Sequence, residues 1–544
     1  LGGPVYIPGI YDGREKTFFY FNFEQNRSKS LFVTRQTVPT QAFRNGDFRG
    51  ILTGRQLGVD PLGRPIMENT IYDPDTERIV NGKRVRDPFE NNMIPPERFD
   101  SVAAKIQALI PKPTDPGNTN NFLPSFENPQ TKSIPSVKID HNLSPTIKLS
   151  GYWSLADQQS YQFVDGLDFP GTQMIKNPRV AHTVRINYDQ TITPTLLLHL
   201  GAGMMHTKWA QIQPEFDAQK ELGLQGTLIK HFPIITGLFT SFGGHGSFFG
   251  GMGANALYTL WDYKPTANAS LTWVKNNHTY KFGAEAKFTG NPIDLMMGAN
   301  GNFQFNAQQS GLPSTEGQYL GGGSVGFPYA SFLLGRVYSG QIGAVSNFRM
   351  GKQAWALFAQ DTWKVTRRFT LDYGMRWDYQ TYLQESYGRV PSLSASVPNP
   401  SAGNLPGGVI FEATHGPFAE NYPYAFGPRI GAAYQIDSKT VLRAGWGISY
   451  GQTAPNNFWS MRFGSYVPFS APAFGDPAMI LEEGVPVKPI WPNFDPGQYP
   501  INPAAPSNFM TYIDPQAGRP PRLNMWSIGV QRQITTNLAI DVTY

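Results

Sequence analysis

The chain has 544 residues, no cysteine and a formal net charge of +5 at pH 7. A protein without cysteine has no disulfide framework, no Cys-based zinc site and no thiol nucleophile, and a charge excess this small and scattered is not a nucleic-acid footprint. Only 16% of the residues are charged, against a usual share of about 25%, whereas 13% are aromatic, and no run of about 18 apolar residues predicts a transmembrane helix.

The chain begins with "LGGPVYIPGIYDG" (1–13), which is typical of a strand end followed by a turn, and no signal peptide precedes it. Its last residues, "NLAIDVTY" (537–544), lie inside an alternating run. We therefore expect a fragment of a longer protein. Between the two ends, abundant Gly, Pro and aromatic residues favour many strands joined by loops.

Segments throughout the chain alternate between apolar residues and residues that are charged, small or hydroxylic. Side chains alternate faces along a strand, so each segment has one apolar wall and one polar wall. A soluble sheet shows the same alternation, so the connections have to distinguish a soluble sheet from a membrane sheet. The alternating segments include 184–188, 280–288, 442–450, 538–544 and 371–379, in which Leu371, Tyr373, Met375, Trp377 and Tyr379 oppose Asp372, Gly374, Arg376 and Asp378.

The connections between these segments alternate between short and long. Short periplasmic turns and long extracellular loops are the pattern of outer-membrane barrels, whereas compact soluble domains seldom carry several loops this long. We predict an all-β fold, a transmembrane antiparallel up-and-down β-barrel of about 13–14 strands, the first of them at residues 1–5. The predicted turns are 140–146, 189–195, 275–278, 364–368, 436–440 and 532–537, and the predicted loops are roughly 26–135, 156–179, 209–264, 290–352, 384–426 and 451–522.

The two walls of each predicted strand then have different surroundings. The apolar parity faces lipid, and the charged parity faces a wet or protein-filled lumen. Trp377 and Tyr379 at the end of one strand, and Trp355 and Trp363 on another, are expected to join aromatic girdles. The inward charges are expected to pair with one another or with a plug, or else to tune permeation; they are Lys281, Glu285, Lys287, Asp372, Arg376, Asp378 and Arg443.

Two segments depart from the alternation. "QAWALFAQDTWKV" (353–365) alternates poorly between Phe358 and Asp361, and "TFFYFNFE" (17–24) is aromatic on both faces. A β-bulge or a strand buried against a plug would explain either departure.

Particular motifs resemble those of TonB-dependent outer-membrane receptors. "FAQDTWKVTRRFTLDYGMRWDY" (358–379) is similar to a mid-barrel hairpin of that family, and "GPRIGAAYQIDSKTVLRAGWGISYG" (427–451) looks like the next hairpin. The resemblance implies a 22-stranded barrel closed by an N-terminal plug and powered by the inner-membrane TonB–ExbB–ExbD complex. The TonB box, the plug and the last barrel strands are not in this sequence, so the chain is read as one partial barrel domain over 1–544.

The subtype resembles the Oar-like branch, whose members are numerous in Acidobacteria and Myxobacteria and often carry a carboxypeptidase-regulatory-like domain. The residues that carry this resemblance are "GGPVYIPGIYDGREKTFFYFNFE" (2–24), "TVPTQAFRNGDF" (37–48), "IYDP" (71–74), "MIPPERFDSVAAKI" (93–106) and "YASFLLGR" (329–336).

Candidate sites for chemistry are weak. His199 and His206, seven residues apart on one strand, should lie on opposite faces, so metal binding with His182 is not favoured. The acidic run "DPDTE" (73–77) lacks the order of an EF-hand loop and is predicted to be a turn. The Gly- and Phe-rich segment 237–253 is predicted to be a mobile loop rather than a phosphate site.

A short helix is predicted within the first long loop, at 95–113. Pro95 and Pro96 lie near its start, Pro111 ends it, and Val102, Ile106 and Leu109 form a narrow apolar stripe. We expect this helix to pack on the outer mouth of the barrel rather than to perform chemistry.

The leading hypothesis for function is energised uptake of a scarce, large or metal-chelating substrate across the outer membrane. The alternative is a cell-surface adhesion or protein-export component of the Oar type. A soluble carbohydrate-active protein would need paired carboxylates in a groove, which the sequence does not show. We expect no enzymatic activity, no nucleophile elbow, no cofactor and no nucleic-acid partner, with outer-membrane lipid as the surroundings. Ligand contacts are expected from aromatic and Arg residues of mobile loops such as 209–264 and 451–522, without individual assignments.

Overall fold

One large antiparallel sheet forms the body of the molecule. The computed structural model describes residues 1–33, 35–162, 164–239, 251–255, 257–399, 402–453, 466–489 and 512–544. Within them, each strand of the sheet pairs with the next one along the chain, and the first and last strands lie at the two edges without pairing with each other. The fourteen strands are β1 Gly2–Pro4, β2 Thr17–Val33, β3 Ser125–Ser144, β4 Ile147–Gln159, β5 Arg179–Thr193, β6 Leu196–Gln211, β7 Tyr258–Lys275, β8 His278–Leu295, β9 Ser346–Lys364, β10 Phe369–Gln380, β11 Ala425–Asp437, β12 Thr440–Tyr450, β13 Arg522–Thr535 and β14 Leu538–Thr543.

Short and long connections alternate without exception from β2 to β14. Because successive strands run antiparallel, every short turn lies at one end of the sheet and every long loop at the other. This confirms the predicted fold class and the predicted placement of loops and turns. The turns are 145–146, 194–195, 276–277, 365–368, 438–439 and 536–537, and long loops 1 to 6 are 34–124, 160–178, 212–257, 296–345, 381–424 and 451–521.

The seven charged residues predicted to face the lumen all lie on one wall of the sheet. A cavity of about 690 Å³ opens on this wall and identifies it as the concave, inner one. Apolar side chains of the opposite parity are exposed on the outer wall, including Tyr373 and Met375. The two walls therefore carry the residues predicted for them.

Aromatic residues form two belts on the outer wall. Near the turn end, the rings of Trp363 and Tyr280 both stack on His278. Farther up, Trp355 packs against Phe288, with ring centroids 5.2 Å apart. Trp355 and Trp363 are eight residues apart, which is about 27 Å of extended chain. A tilted strand of this length matches an apolar band about 25 Å tall between aromatic girdles.

The two irregular segments contain no β-bulge, so that alternative was wrong. β2 pairs with β3 in unbroken register, which places Phe19 and Phe21 on the outer wall and Phe18 on the inner wall. β9 likewise pairs with both neighbours without interruption. Phe358 therefore points inward and Asp361 outward, against the usual pattern.

The long loops are packed rather than free, which corrects the expectation of mobile loops for their described parts. Residues from loops 1, 2, 3, 4 and 6 share a buried apolar core, and we call this assembly the loop cap. A second core joins loops 5 and 6 to the upper ends of β7, β8 and β9. The helices of the loops are α1 Gln41–Arg44, α2 Ser101–Leu109, α3 Ala218–Glu221, α4 Pro328–Leu333 and α5 Glu412–His415.

Short strands add local pairings outside the main sheet, except for Gln384–Glu385, which pairs with β9. None of the helices in the described ranges is long and apolar enough to cross a membrane. The short strands are Tyr6–Ile7, Tyr11–Asp12, Gln56–Val59, Pro65–Met67, Tyr72–Val80, Lys83–Pro88, Tyr161–Gln162, Ile175–Lys176, Ile234–Thr236, Asn302–Gln304, Arg336–Val337, Ser339–Gly343, Gln384–Glu385, Pro391–Asn399, Leu405–Phe411, Tyr466–Ser470 and Met479–Ile480.

Candidate functional site

An ion network spans three strands of the inner wall. The guanidinium of Arg376 on β10 donates to Glu285 on β8 over 2.8 Å and to Asp378 over 2.9 Å. A carboxylate on each side of one guanidinium fixes the position of its planar fork. Pairing of the inward charges with one another was one of the predicted alternatives, and these three residues show it.

Other predicted lumen residues have different partners. Asp372 accepts a hydrogen bond of 2.5 Å from the hydroxyl of Thr362. Across the described ranges, Lys281, Lys287 and Arg443 form no salt bridge. The inner wall thus presents cations that are not neutralised by neighbouring strands, which favours contact with an anionic group or with another part of the protein.

A large ring also enters the lumen. Phe358 covers Gly283 of the neighbouring strand, and a Cβ placed at Gly283 would lie only 2.4 Å from its ring. A bulky aromatic side chain over a strand glycine is a known device for stabilising a curved sheet. Gly283 therefore makes room for the inward Phe358.

The histidines do not converge. His199 lies on the inner wall, where its Nδ1 is 2.7 Å from a carboxylate oxygen of Asp189. His206 lies on the outer wall and stacks on Tyr263, with ring centroids 4.6 Å apart, while His182 stacks at 6.4 Å on its other side. The predicted opposite faces of His199 and His206 are confirmed. Within the part of the chain that the structure describes, no group of three or more acidic or His residues could hold a metal ion.

The acidic run 73–77 lies in a strand of loop 1, Tyr72–Val80, so the predicted turn was wrong. The pairing of this strand with Lys83–Pro88 is irregular between Asp73 and Arg78, which is why the segment resembles a turn. Its carboxylates pair with arginines: Asp73 is 2.7 Å from Arg98, and Glu77 is 2.8 Å from Arg86.

Arg86 is the clearest charged residue of the loop cap, and its side chain is fully buried. Besides Glu77, its guanidinium donates to the carbonyl oxygens of Gln309, Gly311 and Gly475 at 2.9–3.2 Å. One arginine thus joins loop 1 to loops 4 and 6. No sequence pattern predicts this contact, because nothing in the residue order distinguishes a buried arginine from an exposed one.

Neighbouring ion pairs extend this contact. Arg84 pairs with Glu77 at 2.7 Å and also with Asp476 of loop 6. Burial alone would raise the pKa of Glu77, but the hydrogen bonds from Arg84 and Arg86 outweigh it, so that pKa lies below its ordinary value. Hydrogen bonds, chiefly from Arg78, lower the pKa of Asp87 to about 2. Both carboxylates are therefore charged at neutral pH.

The predicted helix of loop 1 is shorter than expected. A 3₁₀ turn covers Pro96–Arg98, and α2 then runs over Ser101–Leu109 and ends before Pro111. Val102 and Ile106 are buried in the cap core as predicted, whereas Leu109 is 38% exposed.

The N-terminus of α2 also connects loops. The carboxylate of Asp100 accepts hydrogen bonds from the backbone nitrogens of Val102 and Ala103, and from that of Glu482 in loop 6. Burial raises the pKa of Asp100. The helix therefore supports the cap by joining loop 1 to loop 6.

Two stretches match the spacing Gly-x-Ser-x-Gly, at 322–326 and 447–451. Ser449 lies inside β12, and Ser324 lies in a loop with no strand before it, so neither stretch has the strand–turn–helix setting of a nucleophile elbow. Most of the Gly- and Phe-rich segment 237–253 lies outside the described residues, so the prediction of a mobile loop is not tested there.

A family model described as "Outer membrane beta barrel domain" matches residues 1–544. The chain belongs to this family. Its sheet is therefore a membrane sheet of the outer membrane, with the apolar outer wall toward lipid and the charged inner wall toward a lumen. No curated protein matches the chain.

Solved structures with a similar fold include the outer-membrane transporter YddB from Escherichia coli, 13% identical, with a TM-score of 0.42 over 78% of this chain and 41% of that one. The ferric-catecholate import receptor Fiu from E. coli K12 is 12% identical, with a TM-score of 0.35 over 76% and 51%. The ferric yersiniabactin uptake receptor FyuA from Yersinia pestis is 9% identical, with a TM-score of 0.36 over 77% and 49%. The chain spans about half or less of the length of these proteins.

Proposed function

We propose that the chain is the barrel of a TonB-dependent receptor that takes up a scarce or large substrate across the outer membrane. The observation that carries the proposal is the joint arrangement of the inner wall and the loop cap. The inner wall offers unpaired cations such as Lys287, and the cap at its long-loop end is a packed structure with its own core. A packed cap suits capture and gated passage better than free diffusion. The resemblance of 358–379 and 427–451 to receptor hairpins supports the same proposal.

Energy for passage would come from the inner-membrane TonB–ExbB–ExbD complex, which acts through a plug in this class of receptor. The test is binding of the purified full-length protein to the isolated periplasmic domain of TonB. We expect saturable binding that is lost when the TonB box of the full-length protein is deleted. A correctly inserted full-length protein that does not bind TonB would overturn energised uptake.

The second candidate is a cell-surface interaction protein of the Oar type. The resemblance of 2–24 and 329–336 to the Oar-like branch favours it, because that branch includes members implicated in surface assembly and secretion. On this hypothesis, cells that lack the protein would lose adhesion or surface assembly while TonB binding is not required. The TonB measurement therefore discriminates between the two functions.

A further inference from the structure

Four short strands from three long loops form a separate mixed sheet in the loop cap. The strands lie in the order Ile234–Thr236, Asn302–Gln304, Ser339–Gly343 and Tyr466–Ser470. The first pair is parallel and the other two pairs are antiparallel. Loops 3, 4 and 6 thus contribute to one surface.

One face of this small sheet is buried. Ile235, Phe303 and Ile342 have no solvent exposure, and Phe469 packs against the cap core. The register places Ile235, Phe303, Gly340 and Phe469 in one row across the four strands. This face anchors the sheet and fixes the orientation of the other face.

The opposite face carries amide and hydroxyl side chains at its centre and along one row, with Ile234 and Pro468 at the two ends of the other row. Two rows cross the sheet, and both project from this face because they lie one residue to either side of the buried row. A cavity of about 490 Å³ lies over them, and none of its described lining residues is charged. We call the polar residues of the two rows the amide face: Thr236, Gln304, Ser339 and Ser470 in one row, and Asn302 and Gln341 in the other.

Most of these polar groups have hydrogen-bonding capacity left over. Ser339 donates to the side-chain oxygen of Gln304 over 3.1 Å. Among the described residues, the side chains of Asn302, Gln341 and Ser470 make no hydrogen bond. Each amide offers two donors and one acceptor oxygen, and each hydroxyl acts as both donor and acceptor.

The edge of the sheet disfavours a peptide as the ligand. Tyr466–Ser470 is an edge strand, which could in principle accept an added strand. Pro468 lies in its middle and has no N–H to donate, a feature that protects edge strands from such pairing. The other edge strand, Ile234–Thr236, is already bridged by Met252, so recognition is left to the face rather than to either edge.

The charge pattern disfavours an anionic ligand at the same place. The inner-wall cavity is lined by six charged residues, including Arg185 and Lys352, whereas the described lining of the amide face has none. A carboxylate or phosphate would be desolvated there without a counter-charge. An uncharged ligand rich in hydroxyl groups does not incur the cost of desolvating a charge. Its hydroxyl groups can both donate to and accept from the amides and hydroxyls of the face.

We propose that the amide face binds an uncharged saccharide. The proposal rests on the proposed uptake function and specifies its substrate class, since the face lies on the loops through which a ligand would arrive. With strands about 4.8 Å apart, the row from Thr236 to Ser470 spans roughly 14 Å, and Asn302 and Gln341 widen its middle by about 7 Å, which suits a short oligosaccharide.

The test is direct binding of the purified full-length protein to neutral oligosaccharides of the gluco, manno and chito series, each compared with its sulfated form. We expect a neutral series to bind and its sulfated form to bind less well. Gln341→Ala should weaken binding by at least about tenfold, equivalent to about 1.4 kcal/mol, because hydrogen bonds to the sugar are lost. Gln219→Ala, at an exposed amide on α3 that does not line the cavity over the amide face, should change affinity less than about twofold.

A second variant, Ser470→Arg, distinguishes loss of binding from loss of folding. Ser470 is exposed at the sheet edge, so an arginine side chain there should cover the amide face without disturbing the core. It should abolish binding while the thermal transition stays unchanged. No binding of any neutral series, preference for sulfated forms or peptides, or binding unaffected by both Gln341→Ala and Ser470→Arg would overturn the inference. Binding to the TonB domain is measured on the same samples, so its persistence in such a case would leave the proposed uptake function standing.

Discussion

The hydroxyl of Tyr373 donates a hydrogen bond of 2.9 Å to the carboxylate of Asp361, on the wall of the sheet that faces lipid. The same carboxylate lies 2.6 Å from Nδ1 of His278, so it links three adjacent strands. Asp361 is only 4% exposed, because the surrounding aromatic belt covers it. Both contacts are made by Oδ2, whereas Oδ1 is buried without a hydrogen-bond partner among the described residues, so the hydrogen bonds to Oδ2 offset part of the cost of placing a carboxylate on the turn-end rim of the lipid wall.

The first prediction concerns this hydrogen bond. Tyr373→Phe should lower the free energy of unfolding by about 1–2 kcal/mol, because the buried carboxylate of Asp361 loses one partner. Tyr379→Phe, six residues farther along the same outer wall, removes a hydroxyl that makes no hydrogen bond among the described residues and should have almost no effect. Urea unfolding of the full-length protein in lipid vesicles measures both values. Equal effects of the two substitutions would show that the contact has no energetic role.

The second prediction compares the two walls at one height. Met375 pairs with Ala359, the neighbour of Gln360, so Met375→Arg and Gln360→Arg place the same charge on opposite walls of adjacent strands. Met375→Arg should cost about 2–4 kcal/mol if the position is near the bilayer midplane, and Gln360→Arg should cost far less. Gly374 is unsuitable as the control, because a Cβ there would lie 2.7 Å from the carbonyl oxygen of Ala359. Folding free energies in lipid provide the comparison, and a larger cost for Gln360→Arg would mean that the walls are assigned backwards.

The third prediction concerns the charged contact inside the loop cap. Glu77→Gln leaves the fully buried Arg86 without its counter-charge and should destabilise the cap by roughly 3 kcal/mol. This value is near the lower end for broken buried pairs, because three carbonyl oxygens still accept hydrogen bonds from Arg86. Glu127→Gln makes the same chemical change in an exposed pair with Lys29 and should cost less than about 1 kcal/mol. Hydrogen exchange of the cap amides reports the first effect, and that of the β2 and β3 amides beside Lys29 and Glu127 reports the second. The same loss of protection in the two variants would contradict the special role of Arg86.

The fourth prediction is an acid-induced loosening of the hairpin formed by Tyr72–Val80 and Lys83–Pro88. The pKa values of Glu77 and Asp87 are lower in the folded protein than the ordinary 4.5 and 3.8, so their contribution to stability is present above those values and is lost as the pH falls. Hydrogen-exchange protection of this hairpin should hold at neutral pH and decline from about pH 4.5 toward about pH 2. The decline should be weaker in Glu77→Gln. Protection that rises on acidification would contradict the assignment.

The sequence was sufficient to predict the strands and connections of the barrel, but it was not sufficient to predict the packing of the loop cap. Side-chain alternation and loop length are local properties, so the wall that carries Arg376 and the placement of every turn could be predicted. The cap core depends on contacts between segments that are far apart in the sequence, such as the contact of Phe43 with Phe327. The periodic pattern within one segment does not predict such contacts. The two segments that broke the alternation marked real exceptions, the inward Phe358 over Gly283 and the outward Asp361. Explaining them requires knowing which residues lie opposite on the neighbouring strands. That register cannot be predicted from one segment alone.

The central claim is that the sheet spans the outer membrane with the loop cap outside and the short turns in the periplasm. The chain has no cysteine, so single substitutions give unambiguous labelling sites. Tyr319→Cys lies in loop 4 at a position that is 91% exposed, and Lys439→Cys lies in the turn 438–439. In intact cells, a membrane-impermeant maleimide should label the full-length Tyr319→Cys protein and leave Lys439→Cys unlabelled until the outer membrane is permeabilised. Labelling of Lys439→Cys in intact cells, or of neither site before permeabilisation, would contradict this topology.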